Sequence, residues 1–289
     1  MKICLTTACS PWLPLEQLIP ILAQSGYDGV EVAYTQRRWD PEQPPNCWNN
    51  NAAVIDRTAP VSEQLAAAAG LKALATEHGM VIPCLGSYVL SSELEDLEQA
   101  LAVAQACGAS SMRVRVPWYP DGSQGASYNE TLAATRSAYA WLSEQGRKIG
   151  VRSLIELHNN SICPTASAAM RVLEGLDPAS VGVILDPGNY AHEGLERLPM
   201  VIDLLGPYLQ HVHVKNATLA VSEATNPLGV KVDVQFCPLH EGIVDWPLLL
   251  QQLADNGYQG WLSVENFADV ERGPARLADD AEQLRRCLP

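Results

Sequence analysis

Glu156, Asp186, His213 and Glu265 stand at or near the ends of four short apolar runs: SLIELH, VGVILDPGN, LQHVHVKN and GWLSVENF. Three carboxylates and one imidazole brought together are a hard, oxygen-rich donor set. Such a set suits Mn²⁺, Mg²⁺ or Co²⁺, can take Zn²⁺, and is unlike a thiolate-selective site. It leaves coordination positions open for two substrate oxygens. Each residue alone reads equally well as a capped or paired acid, or as a hydrogen-bonded core histidine. Their repeated placement at strand ends is what points to a site. In HVHVK, His211 and His213 share one strand face because side chains alternate along a strand. His213 is nearer the strand end, and His211 lies one layer deeper.

Residues at strand ends meet only if the strands close on one another. Strand-like runs occur at 2–6, 29–33, 80–85, 111–116, 151–156, 181–186, 209–214 and 261–265. Apolar residues at three- and four-residue spacings predict helices over 14–25, 62–78, 92–107, 127–146, 165–176, 194–205, 245–256 and 275–287. This alternation, with no break in composition, predicts one domain over 1–289: a single (β/α)8 TIM barrel, whose strand C-termini share one rim. An open doubly wound sheet fits less well, because the first loop, TTACSPWLP, has no GxGxxG. Glycines in GYDGVEV, HGM, CGAS and GYQG precede strands and read as left-handed turns after helices. Two long connections, 34–59 and 215–244, follow strands and so belong to the rim side. Trp39 and Trp48 in the first could stack on a sugar face, with Trp39 taken as a substrate contact.

The formal charge of −14, from 33 acidic and 19 basic residues, argues against a nucleic-acid or anionic-membrane surface. The eight cysteines are scattered without a CxxC pair, several in apolar runs, as reduced core thiols are. MKICLTTACS is not signal-like, and no run approaches the length of a membrane span, so a cytoplasmic address is expected. Arg113 and Arg115 share a face of the fourth strand. Arg115, nearer the rim, could bind a substrate anion; the other reading is a buried ion pair supporting the carboxylates. Asp245, before WPLLL, reads as a helix N-cap.

The segments SLIELHNN, VGVILDPGNY, HVHVKN, EGIVDWPLLL and GWLSVENF resemble those of the sugar phosphate isomerase/epimerase-like group of xylose-isomerase-type barrels. The likeness runs from GYDGVEVA to the last strand. The group includes ketose 3-epimerases, hydroxypyruvate isomerases and inosose or dehydroshikimate dehydratases. The resemblance implies that Glu156, Asp186, His213 and Glu265 bind one divalent cation, Mn²⁺ fitting best, and that Glu156 and Glu265 are also the acid/base pair. It implies substrate contacts for His158 and Lys215. Three positions depart from the pattern. Asn189 stands where epimerases of free ketoses often carry a histidine, Asn216 replaces a commoner aspartate, and His240 precedes EG where a small residue is usual. Asn189 and His240 are retained as candidate substrate contacts. A two-metal cluster of the xylose isomerase type is not expected, since KVDVQ offers only Asp233. The implied activity is epimerisation or isomerisation of a ketose or keto-sugar derivative through an enediolate. A metal-dependent lyase or dehydratase is the alternative, and a non-catalytic binding or partner subunit is a third. The implied partner is a small carbohydrate, and a homo-oligomer is expected by analogy.

Overall fold

Eight apolar runs form parallel strands: β1 (Lys2–Thr6), β2 (Gly29–Thr35), β3 (Cys84–Ser87), β4 (Ser111–Arg113), β5 (Arg152–Glu156), β6 (Val181–Leu185), β7 (Leu209–Val214) and β8 (Trp261–Val264). Each pairs with the next, β7 with β8, and β8 closes on β1 from Lys2↔Trp261 to Leu5↔Val264. The result is a closed (β/α)8 barrel. The computed structural model describes residues 1–119, 126–193, 196–222, 229 and 231–289.

The surrounding helices are α1 (Leu15–Gln24), α2 (Val61–Glu77), α3 (Leu94–Cys107), α4 (Tyr128–Ile149), α5 (Ala166–Leu173), α6 (Leu198–Leu205), α7 (Trp246–Asp255) and α8 (Arg276–Cys287). Their apolar spacing explains their seating. In α1, Leu15, Leu18, Ile19 and Leu22 fall on one face and are all buried. Each such leucine or isoleucine contributes about 1.5–3 kcal/mol on leaving water. Ser127 and Glu130 form a reciprocal capping box at the start of α4. The Asp245 side chain accepts from Leu248 N–H at 3.0 Å, so it is the N-cap of α7. Gly108 ends α3 in the left-handed region at φ 72° and turns the chain toward β4.

Strand side chains alternate between two environments. Val30, Val32 and Tyr34 of β2 join the layer between strands and helices. Cys84, Leu154 and Ile184 form a separate buried cluster.

Strand limits differ most from the sequence expectation in β3 and β4. β3 starts at Cys84 rather than 80, because Pro83 has no N–H for a ladder. Regular pairing in β4 stops at Arg113, although Arg115 N–H still reaches Val89 O at 3.0 Å. The start of the helix expected at 194–205 lies partly outside the described residues. The long connections also carry structure. Val54–Asp56 adds a short parallel strand to the end of β2. Asn216–Val221 pairs antiparallel with Val232–Cys237. Among the described residues, no helix is long and apolar enough to cross a membrane.

Cys4, Cys9, Cys84, Cys107 and Cys163 are all buried. Burial disfavours the thiolate and pushes Cys9, Cys107 and Cys163 up to about 12. A thiol-disulfide reagent at pH 8 is therefore expected to titrate no more than three of the eight cysteines in the native protein. All eight should react in denaturant. Rapid native reaction of most of them would contradict this packing.

Candidate metal centre and active-site cavity

Glu156 ends β5, Asp186 follows β6, His213 lies in β7 and Glu265 follows β8. Barrel closure brings their donor atoms within 4.8 Å of one another, all buried. His213 Nδ1 is 3.2 Å from Glu156 Oε1, 3.5 Å from Glu265 Oε2 and 3.8 Å from Asp186 Oδ2. Asp186 and His213 form the floor. Glu156 and Glu265 also line a cavity of about 590 Å³ above it, with Arg115, His158, Asn189 and Lys215.

Glu31, in the middle of β2, completes the floor. Its Oε2 is 2.9 Å from His211 Nε2, and both its carboxylate oxygens are 3.3 Å from His213 Nε2. Glu31, His211 and His213 form a second cluster whose spacing is compatible with a cation. The distances are also those of N–H donors shared by one carboxylate. With Nε2–H given to Glu31, His213 turns Nδ1 toward the other three acids.

Two buried cations neutralise part of the acidic floor. Arg113 Nη1 donates to Glu156 Oε2 at 2.8 Å, and its Nε donates to Ser87 O at 3.1 Å. Lys215 Nζ is 2.6 Å from Asp186 Oδ2 and 2.7 Å from Glu265 Oε2. Asn189 adds neutral donors: its Nδ2 donates to Asp186 Oδ2 at 2.9 Å, Leu157 O at 3.1 Å and, more weakly, Glu156 Oε1 at 3.4 Å. Burial opposes ionisation of Glu156, but Arg113 and then His213 overcome it and hold the carboxyl well below the usual range. Glu265 is likewise buried, yet Lys215 and His213 bring it down to about 2. Burial would lower Lys215, but Asp186 and Glu265 raise it above its ordinary value. Burial would also lower His213; Glu265 and Glu31 drive it well above the normal imidazole range.

The charge balance tests the fit of a cation. Glu31, Glu156, Asp186 and Glu265 are buried together with Arg113 and Lys215. With neutral imidazoles, the acids exceed the bases by two charges, which matches a divalent ion. Without an ion, a proton on His213 relieves part of the repulsion. The oxygen-rich donor set fits a hard or borderline divalent cation, and its binding would displace that proton.

The recurring glycines in these segments have steric causes. A Cβ on Gly188 of LDPGN would lie 2.8 Å from Lys215 Cγ. A Cβ on Gly242 of HEGIVDW would lie 2.0 Å from Asn216 Oδ1. Asn216 donates to Leu239 O at 2.8 Å and Val244 O at 3.1 Å. An aspartate could not donate to those carbonyls, so this departure ties the 238–244 loop to the barrel rather than pairing with Lys215.

Two sequence candidates lie outside the cavity. Trp39 lines a shallow depression with Asn46 and Asn50, held there by the turn that Asn50 pins to Asp40. Trp48, from the same connection, lines the main cavity instead. His240 is exposed, beside Glu241 at 3.4 Å and Gln283 at 3.2 Å, on the α8 side of its loop. Arg113 forms the ion pair that was one reading of the fourth strand. Among the described residues, no carboxylate pairs with Arg115, which lies over Trp118 at 5.6 Å. Sequence reading missed Glu31 and the cavity aromatics Tyr88, Trp118, Phe236 and Phe267. The signal for Glu31 was a single carboxylate inside GVEVA, on the inward alternation of an otherwise apolar strand.

Residues 19–287 match the family model described as xylose isomerase-like TIM barrel. The chain belongs to that family. It is 30% identical over 169 residues to an inosose dehydratase of Mesomycoplasma hyopneumoniae, covering 55% of this chain and 54% of that protein. It thus spans about half the length of the curated relatives it matches. Its fold is similar to that of a 3-keto-D-glucoside 4-epimerase from E. coli, with TM-score 0.71 and 18% identity, covering 99% of this chain and 100% of that one. It is also similar to an IOLI protein solved with a zinc atom, with TM-score 0.72 and 15% identity, covering 99% and 96%.

The floor geometry makes Glu31→Gln informative. An amide can no longer accept from both imidazoles as an anion, so Mn²⁺ affinity should fall roughly 10–100-fold by calorimetric titration of chelator-treated protein. Unchanged affinity would remove Glu31 from the support of His213.

Proposed function

We propose that this chain is a divalent-metal-dependent lyase that dehydrates a keto-polyol ring, a keto-sugar or sugar-like keto-acid. The observation carrying this reading is a proton-transfer group in the cavity besides the two glutamates. His158 lines the cavity, and its Nδ1 is 2.7 Å from Asn159 O. That contact assigns the proton to Nδ1 and leaves Nε2 to exchange one. The similarity to inosose dehydratases supports the same choice.

Glu156, Asp186, His213 and Glu265 would hold the ion, for which Mn²⁺ is the best match to the donor set. When bound, it supplies chelation of the substrate carbonyl and a neighbouring oxygen, which acidifies the adjacent C–H. Glu156, kept ionised by Arg113, takes that proton. The electron pair left on carbon forms the new C=C bond as the β C–O bond breaks. With a proton on Nε2 as well as on Nδ1, His158 gives the Nε2 proton to the departing hydroxyl, which leaves as water; the proton on Glu156 then returns to solvent and Nε2 takes one back from solvent. Lys215 and Asn189 hold Asp186 and Glu265 in place and offer N–H groups to substrate oxygens. The buried reduced thiols suit a cytoplasmic setting.

A second reading is epimerisation or isomerisation. It is favoured by the presence of both Glu156 and Glu265 on the cavity wall, where one could remove a proton and the other return it.

A panel of keto-inositols, ketoses and keto-acids in D₂O with Mn²⁺ separates the readings. The lyase reading predicts loss of water and an enone absorbance with at least one cyclic keto-polyol. His158→Gln should slow that loss by roughly 10²–10⁴-fold while exchange at the α carbon continues. Deuterium incorporation without loss of water in the wild type would overturn dehydration in favour of epimerisation or isomerisation.

A further inference from the structure

The reaction cavity does not end at the ring that would react. A second cavity of about 360 Å³ lies beside it on the same rim. Trp48, Tyr88 and Arg115 line both, so the two spaces share a wall. Their characters differ. The cavity above the acids is walled by aromatic rings, whereas the annex includes Thr35, Gln36, Arg38 and Arg57.

The aromatic walls have two tiers. Phe236 and Phe267 are the inner tier on one side, with ring centres 5.3 Å and 5.5 Å from Lys215 Nζ, which itself touches Asp186 and Glu265. Trp48 stands one ring further out, 4.8 Å from Phe267. On the other side His158 is the inner ring, and Trp118 stacks outside it at 6.3 Å. The outer tryptophans remain 55% and 53% exposed. Open aromatic faces beside a cavity offer stacking area to a ligand. Arg115 sits at the junction with Trp118 under its guanidinium, and among the described residues no carboxylate engages it. Arg57 in the annex is already paired with Glu93 and Asp96.

From this juxtaposition we propose that the annex is a subsite for a second, uncharged polar ring, and that the substrate is a keto-sugar carrying an O-linked glycosyl group. Trp48 stacks on the second ring, and Arg115 donates to oxygens near the linkage. A stacking face beside several hydrogen-bond donors suits sugar, which presents an apolar face and a hydroxyl edge. This rests on the reading that the main cavity takes a keto-polyol ring, but it does not depend on whether that ring is dehydrated or epimerised.

The test compares binding, which requires no turnover. A keto-hexose, its O-glucosyl derivative (a keto-disaccharide) and the 6-phosphate of the keto-hexose are titrated into the Mn²⁺-loaded protein by calorimetry, with sedimentation of the same samples. The subsite predicts at least tenfold tighter binding of the keto-disaccharide than of the keto-hexose. Trp48→Ala should cut that ratio by roughly 10-fold, from the stacking area removed. Arg115→Met should also reduce it. Equal affinities for the two neutral compounds would overturn the subsite while leaving the keto-polyol reading intact. A gain seen only with the phosphate would overturn the choice of a neutral ring. Dissociation of an oligomer by Trp48→Ala with an unchanged ratio would mean that a second copy covers the tryptophan. Failure of every keto compound to bind would overturn both this proposal and the function on which it rests.

Discussion

Mutual repulsion of buried carboxylates is the constraint around which this barrel is arranged. Glu31, Glu156, Asp186 and Glu265 are all nearly inaccessible to water. Charges in such surroundings persist only when paired and hydrogen-bonded. Each acid accordingly has a dedicated partner: Arg113 for Glu156, Lys215 for Asp186 and Glu265, and the two imidazoles of β7 for Glu31. The partners compensate the floor incompletely, and the remaining negative charge creates affinity for a divalent ion. Fold and chemistry meet here, because the closed barrel aims acids from four strands at one histidine.

The same constraint explains features that look like sequence signatures. Gly188 leaves room for the lysine that neutralises Asp186, and Gly242 leaves room for the asparagine that fastens the neighbouring loop. Asn189 extends neutral N–H groups to the carboxylates without adding charge. A histidine there could not make the same set of contacts in the same form. These residues shape the cavity by holding its acids.

Much of this was legible in the sequence, for physical reasons that differ by residue. Glu156, Asp186 and Glu265 interrupt apolar runs at their ends, where a parallel barrel exposes side chains to one rim. The period-two alternation of HVHVK separates His213 from the valines and places His211 beneath it. The eight strands were visible because each is a short apolar run between amphipathic helices, although Pro83 moved the start of β3. Glu31 was only faintly legible. Its one local signal is a lone carboxylate on the inward alternation of GVEVA, and its partners lie 180 and 182 residues away. Trp39 and His240 fall outside the main cavity because they sit in long loops, whose paths depend on contacts such as those of Asn50 and Asn216 rather than on any periodicity. The aromatic cavity walls are likewise contributed by separate loops and converge only in the folded chain.

Anomalous diffraction from a crystal grown with Mn²⁺ tests the four-residue centre most directly. One peak per chain is expected, bounded by Glu156, Asp186, Glu265 and Nδ1 of His213, with Glu31 remaining on Nε2 of that histidine. A peak held by Glu31, His211 and His213 instead, or no peak at saturating Mn²⁺, would contradict it.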